Sequence, residues 1–271
     1  MSDLPIRLPE GATDVVTDGP APFVTGVRYR GPDGVLVRWE ARASRRVAPA
    51  HGRGLTWWIG LLFAIGATAF VVGPIPAYTH AVGARADALT YFVGSLFFTA
   101  GGYLTYLQVV RASGRRWFGW LPRALGFWAA TVQLVGTLYF NVTTFAGLLD
   151  LPADLDERVV WRPDAIGSVC FLVASAIAFA EAGHRWWSWR PGHLDWHITA
   201  LNMWGSIFFG LSAIGAHIGP DGSLTSVQLA NGGTFAGALC FLVGAVLTMS
   251  EGRAASSGAD PGPVAPPRPR R

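Results

Sequence analysis

Polar residues inside long apolar segments are the part of this sequence that could do chemistry. The amides Gln133, Asn202 and Asn231 interrupt apolar runs, and the carboxylates Glu181 and Glu251 stand near the ends of two such runs. Polar groups within hydrocarbon are costly, and they commonly mark a binding site or a transport path. Two interpretations follow for the amides, which either line a polar pocket or hydrogen-bond between helices.

Three polar residues each follow a glycine of an apolar run by fourteen positions. Fourteen residues are close to four helical turns, so each polar group returns to the face of its glycine. With Arg111 or Arg185 from the adjoining loops they would form a polar ring. This ring is either a site for a cation or a lipid headgroup, or a set of helix-end groups that pair with loop arginines near the interface. The three are Gln108, Glu181 and Glu251, which follow Gly94, Gly167 and Gly237.

No pattern of catalysis or cofactor binding stands out in the chain. Cys170 and Cys240 lie singly in apolar runs, unlike the clustered thiols of a disulfide framework or a zinc site. His197 and His217 are 20 residues apart on one helix, so they cannot ligate one haem. Phosphate-loop, dinucleotide-binding, HExxH and GxSxG patterns are also not evident. We expect a protein that is not an enzyme, with no catalytic residues, no cofactor and no metal site.

The elements that position these residues are membrane-spanning helices. The chain is 51% hydrophobic and 14% charged, whereas about a quarter of a soluble domain is charged. Each apolar run has the roughly 20 residues needed to cross a bilayer, where only helices or closed barrels satisfy the backbone. The sequence therefore predicts an all-α membrane protein with six transmembrane helices. The runs are 55–73, 88–110, 124–149, 163–181, 195–218 and 226–250.

The arginines predict the orientation of these helices. All 21 basic residues are arginines, and they alternate between rich and poor loops along the chain. The positive-inside rule then places both termini in the cytoplasm, with the protein in a bacterial cytoplasmic membrane. The net charge of +4 comes from loops and tails, so it indicates orientation in the lipid bilayer rather than nucleic-acid binding.

Four regions follow from composition. Residues 1–21 are polar and are predicted to be disordered. Residues 22–54 contain a β-hairpin and a basic segment, since Val27, Tyr29, Val35 and Trp39 alternate with polar residues around the turn-forming stretch 31–34. Residues 55–251 form the transmembrane domain, and the Pro- and Arg-rich tail 252–271 is predicted to be disordered. The cytoplasmic hairpin is the expected contact for a protein partner.

All six runs carry one motif: a glycine, a small residue, two variable residues and a phenylalanine. Steps of four residues bring the two named positions to one helix face, where glycine admits a neighbouring backbone and phenylalanine fills the adjacent space. Equivalent glycines recur about every 70 residues, which predicts three parallel two-helix repeats. The pairs are Gly66 and Phe70, Gly94 and Phe98, Gly136 and Phe140, Gly167 and Phe171, Gly205 and Phe209, and Gly237 and Phe241.

Three stretches that contain this motif, beginning at Tyr91, Trp161 and Ala230, resemble a group of uncharacterised actinobacterial multi-pass membrane proteins over residues 23–251. The repeated Gly-Ser-x-x-Phe helix is also similar to the YrhK-like two-helix domain. Neither resemblance implies a reaction, a ligand or a set of functional residues.

Three functions are consistent with the sequence. The first is a non-enzymatic membrane scaffold or partner-binding protein, which the packing-dominated helices and the hairpin favour. The second is a small-solute or ion permease with its path along the axis of the three hairpins. The third is a lipid- or quinone-binding enzyme subunit. The oligomeric state is left open.

Overall fold

The computed structural model describes residues 4–46, 53–149, 151–219 and 223–257, and within these residues the chain is mainly helical. Six helices are long and apolar enough to cross a membrane. Their bounds lie close to the predicted runs, so the expectation of six long apolar helices is confirmed. In chain order they are α2 (Leu55–Val72), α4 (Ala84–Ala112), α5 (Leu125–Ala146), α7 (Arg162–Gly183), α8 (Leu194–Gly215) and α9 (Val227–Ser257).

Shorter elements connect and extend these helices. Helix α1 (Ala41–Ser44) precedes α2, α3 (Pro76–Val82) precedes α4, and α6 (Ala153–Asp156) runs through a π-helical turn, Glu157–Trp161, into α7. The π turn lies just before Pro163, which has no N–H to continue the regular hydrogen-bond pattern. Thr143 of α5 donates to the carbonyl of Val160 in this turn, so a side-chain hydrogen bond joins the turn to the neighbouring helix.

The six long helices form a closed ring. Each one packs against its neighbours in sequence, and α9 closes the ring against α2. The motif glycines lie at close contacts within the pairs α2–α4, α5–α7 and α8–α9. A Cβ atom on Gly136 would lie 3.2 Å from the carbonyl oxygen of Gly167, and one on Gly237 would lie 2.9 Å from that of Gly205. The glycines therefore face a partner helix rather than the outside of the ring.

The small residue after each glycine is buried at a helix contact. All six are at most 3% exposed: Ala67, Ser95, Thr137, Ser168, Ser206 and Ala238. The serines also form hydrogen bonds between helices. Ser95 contacts Thr144 of α5 at 2.9 Å, and Ser206 contacts Ser175 of α7 at 2.8 Å. The small side chains thus let the backbones approach each other, and the serine hydroxyls join neighbouring helices.

The six motif phenylalanines fill the axis of the ring. Phe70, Phe140 and Phe209 form one triangle, with ring centroids 5.7 to 6.2 Å apart. The other three, Phe98, Phe171 and Phe241, form a second triangle with centroids 6.0 to 6.5 Å apart. We call the six together the phenylalanine layer. The space left between them is about 10 Å³, which is at or below the size that holds one water molecule.

An antiparallel sheet lies at the end of the ring where α2, α5 and α8 begin, which we call the sheet end. Its strands are β1 (Thr13–Asp18), β2 (Gly26–Arg30) and β3 (Leu36–Glu40), in that order across the sheet. The predicted turn joins β2 to β3. Its Gly34 has a φ of +80°, which glycine adopts without strain, and the N–H of Gly31 donates to the carbonyl of Val35 at 2.8 Å.

The third strand corrects two predictions about the N-terminal region. The sheet is not a two-stranded hairpin, because β1 adds a strand along β2, and residues 13–18 are therefore not disordered as part of 1–21. The polar composition of β1 hid it, since the strand is largely exposed. Its backbone bonds come from β2, and ion pairs at 3.2 Å join Asp18 to Arg28 and Asp14 to Arg30. Residues 1–3 lie outside the described residues.

The boundary of the C-terminal tail is also corrected. Helix α9 continues to Ser257, so residues 252–257 are helical rather than disordered. A Cβ atom on Gly252 would lie 2.7 Å from the backbone nitrogen of Trp57, which shows that α9 packs closely against the start of α2. The remainder of the predicted tail, 258–271, lies outside the described residues.

Apolar side chains cover the outside of the ring. Leu96, Leu138, Val169 and Val243 are between 43% and 60% exposed near the middle of their helices. Tryptophans are exposed at the sheet end, as is typical of side chains at a membrane interface. This surface suits contact with a lipid bilayer, as expected for a multi-pass membrane protein. The exposed tryptophans are Trp58, Trp117, Trp120, Trp186, Trp187 and Trp189.

Candidate polar cavity and charged layer

Five of the six predicted polar candidates line one cavity. It occupies about 130 Å³ on the axis of the ring, between the phenylalanine layer and the sheet end, and all six long helices contribute to its wall. The five residues are Gln108, Gln133, Glu181, Asn202 and Glu251. The sixth candidate, Asn231, is exposed near the start of α9 at the opposite end and does not reach the cavity. The structure therefore separates one amide from the rest.

Aromatic rings close the cavity away from the sheet end. The triangle of Phe98, Phe171 and Phe241 lies on this side, and Phe63 of α2 lies next to it at 5.8 Å from the Phe98 ring. Apolar rings cannot hydrogen-bond, so they give the cavity one dry side. Beyond them the remaining phenylalanines fill the axis.

The amides in the middle of the cavity are not hydrogen-bonded to protein. Gln133 of α5 and Asn202 of α8 each stand three residues before a motif glycine, and neither side-chain amide contacts another described residue at hydrogen-bond distance. Both side chains are only half-buried, because they face the cavity. Of the two interpretations left open by the sequence, the geometry supports the pocket rather than interhelical hydrogen bonds.

A layer of six charged groups bounds the cavity at the sheet end. Arg45 forms two hydrogen bonds to the carboxylate of Glu181, at 2.7 and 2.6 Å. Arg46 contacts Glu251 at 2.9 Å and also contacts Asp195, while Arg42 donates to Asp195 at 2.7 Å. We call these three arginines and three carboxylates the charged layer. Each guanidinium in the layer thus contacts a carboxylate, and each carboxylate contacts a guanidinium.

The charged layer differs from the predicted ring in its arginines. Arg111 and Arg185 take no part in it, since Arg111 stacks over Trp117 and donates to the carbonyl of Arg116, and Arg185 is exposed. The arginines come instead from the segment 42–46, which follows β3 and enters the end of the ring. Glu181 is 2% exposed, so it is a buried group rather than one that reaches water at a helix end.

Neutral polar groups and a glycine complete the same level of the ring. Gln108 donates to the hydroxyl of Thr56 at 2.8 Å, so its carbonyl oxygen remains free to accept. A Cβ atom on Gly126 would lie 2.6 Å from a guanidinium nitrogen of Arg45 and 2.7 Å from a carboxylate oxygen of Glu181. The absence of a side chain at Gly126 therefore provides the space in which this ion pair fits.

Sequence reasoning missed Asp195 and the arginines that bind it. A signal was present, because Thr56, Gly126 and Asp195 each stand ten residues before a motif glycine, at Gly66, Gly136 and Gly205. Burial by itself lowers the pKa of the Arg42 guanidinium, but the attraction of Asp195 and Glu251 outweighs burial and raises the pKa above its ordinary value. Arg42 is therefore charged at any physiological pH.

His184 joins the sheet to the ring. It follows α7 directly, has a φ of +57°, and its Nδ1 lies 2.8 Å from the hydroxyl of Thr25, which is 1% exposed. Its Nε2 lies 3.6 Å from the carboxylate of Glu40, the last residue of β3. The proximity of His184 is the largest cause of a lowered pKa at Glu40, with Arg38 at 2.6 Å acting in the same direction and burial opposing both.

We predict that acid weakens the contact between the sheet and the ring. The folded-state pKa of Glu40 lies below its usual value of 4.5, so its ionised form contributes stability that is present above pH 4.5 and lost as the pH falls through the lowered pKa. Hydrogen exchange of β3 should therefore accelerate relative to intrinsic rates below about pH 4.5.

Glu40→Gln is the matched control for this prediction. The variant lacks the titrating group, so its exchange in β3 should depend less on pH over this window than that of the wild type. Identical pH profiles for the two proteins would contradict a role for Glu40.

The geometry is suited to binding a small molecule. Amides, hydroxyls and a balanced set of charges surround a small enclosed space whose far side is aromatic. Among the described residues, no group of three or more His, Cys, Asp or Glu is placed to hold a metal ion. The chain matches no protein-family model, no curated protein and no solved structure.

Proposed function

We propose that this protein is a non-enzymatic scaffold of the bacterial cytoplasmic membrane that presents its N-terminal sheet to a protein partner in the cytoplasm. One observation carries the proposal: the phenylalanine layer closes the axis of the ring and leaves about 10 Å³ between its rings. A ring that is closed in its middle offers no aqueous path across the membrane.

The six helices are, on this proposal, three parallel two-helix repeats: α2–α4, α5–α7 and α8–α9. The two phenylalanine triangles support this, because one is built from the first helix of each pair and the other from the second. The charged layer supports it as well. Gln108, Glu181 and Glu251 occupy one level at the same spacing from their glycines, although they bind different partners.

The sheet end is proposed to lie in the cytoplasm. The arginine-rich loops all lie at this end, which the positive-inside rule assigns to the cytoplasmic side. The exposed tryptophans of the same end would then mark the inner interface.

The sheet offers a partner a surface that is held in place on the ring. Val35 and Leu36 at the turn are 56% and 64% exposed, and the side chains of Arg28 and Arg38 are each 47% exposed. Such apolar residues beside arginines are typical of contact surfaces between proteins. Because His184 and the charged layer hold the sheet to the ring, the surface is fixed relative to the membrane.

A permease is the second candidate, and the cavity favours it. Gln133 and Asn202 face about 130 Å³ of enclosed space without protein partners, as binding groups of a transport path would. For this candidate the phenylalanine layer would have to open during transport.

Solute flux through reconstituted liposomes separates the two candidates. We predict that the wild type carries no ion or small neutral solute faster than protein-free liposomes, because the axis is closed. The same panel is measured with Asn202→Leu, whose side chain lines the cavity, and with Asn231→Leu, a matched control whose side chain lies outside it.

Flux that Asn202→Leu lowers and Asn231→Leu preserves would overturn the scaffold proposal in favour of the permease. Equal background flux in all three proteins supports the scaffold. Purified protein should be checked for correct assembly by its elution from a sizing column before each measurement.

A further inference from the structure

The free hydrogen-bonding groups in the cavity require a polar occupant. Gln133 and Asn202 each present a donor and an acceptor, and Gln108 retains its carbonyl oxygen as an acceptor. Thr105 and Thr248 donate their hydroxyl hydrogens to carbonyls of their own helices at 2.9 Å, so their oxygens can accept. A molecule that bears both N–H or O–H groups and a carbonyl or hydroxyl oxygen complements this set.

The charges around the cavity argue that the occupant is neutral. Each of the three carboxylates is already bound to a guanidinium, and every guanidinium is bound to a carboxylate. A charged occupant would have to displace one of these ion pairs to gain a counter-charge, and a buried charge without a partner is strongly disfavoured. The phenylalanine side of the cavity offers no compensation for an anion.

The size of the cavity limits the occupant to a few atoms. A volume of about 130 Å³ is close to the roughly 150 Å³ of an engineered cavity that holds one benzene molecule. About four to seven non-hydrogen atoms therefore fit, which corresponds to a simple amide, urea or a short polyol.

We propose that this cavity is a binding site for a small neutral amide or polyol, which contacts Gln133 and Asn202 and enters from the sheet end. The site stands beside the scaffold role and does not depend on it. A scaffold with an occupied cavity still conducts nothing, and a permease would use the same site for its substrate.

Two isosteric pairs of probes test directly whether the site prefers a neutral molecule to a charged one. Acetamide is compared with acetate, and urea with guanidinium, each radiolabelled and measured by equilibrium dialysis against the full chain in lipid nanodiscs. Empty nanodiscs give the background. We expect acetamide or urea to bind saturably, at least about tenfold more tightly than its charged counterpart. Labelled glycerol represents the polyols.

Variants locate the binding. Asn202→Leu should reduce the affinity of the neutral probe at least about tenfold, because it removes a donor and an acceptor and fills part of the cavity. Asn231→Leu should leave the affinity unchanged. Gln133→Leu provides a second test on another helix, in case Asn202→Leu fails to assemble.

Three results would overturn the proposal. One is preferential binding of acetate or guanidinium, which would show that the site selects charge. Another is binding of a neutral probe that neither Asn202→Leu nor Gln133→Leu lowers, which would place it elsewhere. The third is no saturable binding of any probe, which would leave water as the occupant. None of these results bears on the flux measurement, so the two proposals fail separately.

Discussion

Replacing Glu181 by glutamine is expected to lower the free energy of unfolding by about 3–5 kcal/mol. The substitution leaves the guanidinium of Arg45, whose side chain is only 11% exposed, without its carboxylate. Breaking a buried ion pair from one side is costly because the remaining charge keeps its desolvation penalty. Reversible unfolding in mixtures of mild detergent and sodium dodecyl sulfate measures the change.

Glu157→Gln is the matched control for Glu181→Gln. Glu157 pairs with Arg162 at 3.0 Å near the other end of the same helical stretch, but the two side chains are 40% and 58% exposed. Its loss should cost no more than about 1 kcal/mol. The double variant Arg45→Met, Glu181→Leu removes both charges and should recover much of the lost stability. Equal effects of Glu181→Gln and Glu157→Gln would contradict burial of the pair.

Replacing Gly205 by leucine is expected to disrupt the contact between α8 and α9. The first carbon of any side chain at this position would lie 2.8 Å from the ring of Phe241 and 3.0 Å from the carbonyl oxygen of Gly237. The backbone of α9 cannot yield as a flexible side chain could, so the helices must separate. We expect a loss at or above the upper end of the roughly 1–3 kcal/mol typical of overpacking.

Gly210→Leu separates this contact from a general effect of leucine in α8. Gly210 lies on the same helix, and no heavy atom of another part of the chain lies within 4 Å of a Cβ placed there. The melting temperature in detergent is measured by size-exclusion chromatography after heating. It should fall for Gly205→Leu and stay near that of the wild type for Gly210→Leu. A similar fall in both variants would argue against packing at Gly205.

The helices and their packing face were accessible from the sequence because both follow from local spacing. Apolar length marks each span, and the step of four residues from Gly205 to Phe209 fixes one face of a helix regardless of its neighbours. The same spacing argument placed Glu181 and Glu251 at one level. It left their partners open, since a spacing within one helix carries no information about another segment.

The charged layer could not be completed from spacing because its cations are distant in sequence. Arg45 and Glu181 are 136 residues apart, and only the folded ring brings them together. Asn231, by contrast, was predicted to belong to the polar site and does not. As a polar residue in an apolar run it resembled Asn202, but its place near the start of α9 puts it at the end of the ring opposite the sheet rather than on the cavity wall.

The prediction of disorder at β1 was wrong for a related reason. A polar, exposed strand has the composition of an unfolded segment, and its order depends on backbone pairing with β2. Composition therefore underestimates strands that are stabilised at an edge by a neighbour rather than by burial of their own side chains.

The strand β3 ends at Glu40 and α1 begins at Ala41, with no connecting residue between them. The sheet and the arginines of the charged layer are consequently joined directly, and a shift of one is transmitted to the other. A molecule that binds the sheet in this position also holds those arginines in place at the sheet end of the cavity. Because affinity depends only on the end states, such a molecule would slow the entry and exit of an occupant by this route and leave its equilibrium affinity unchanged.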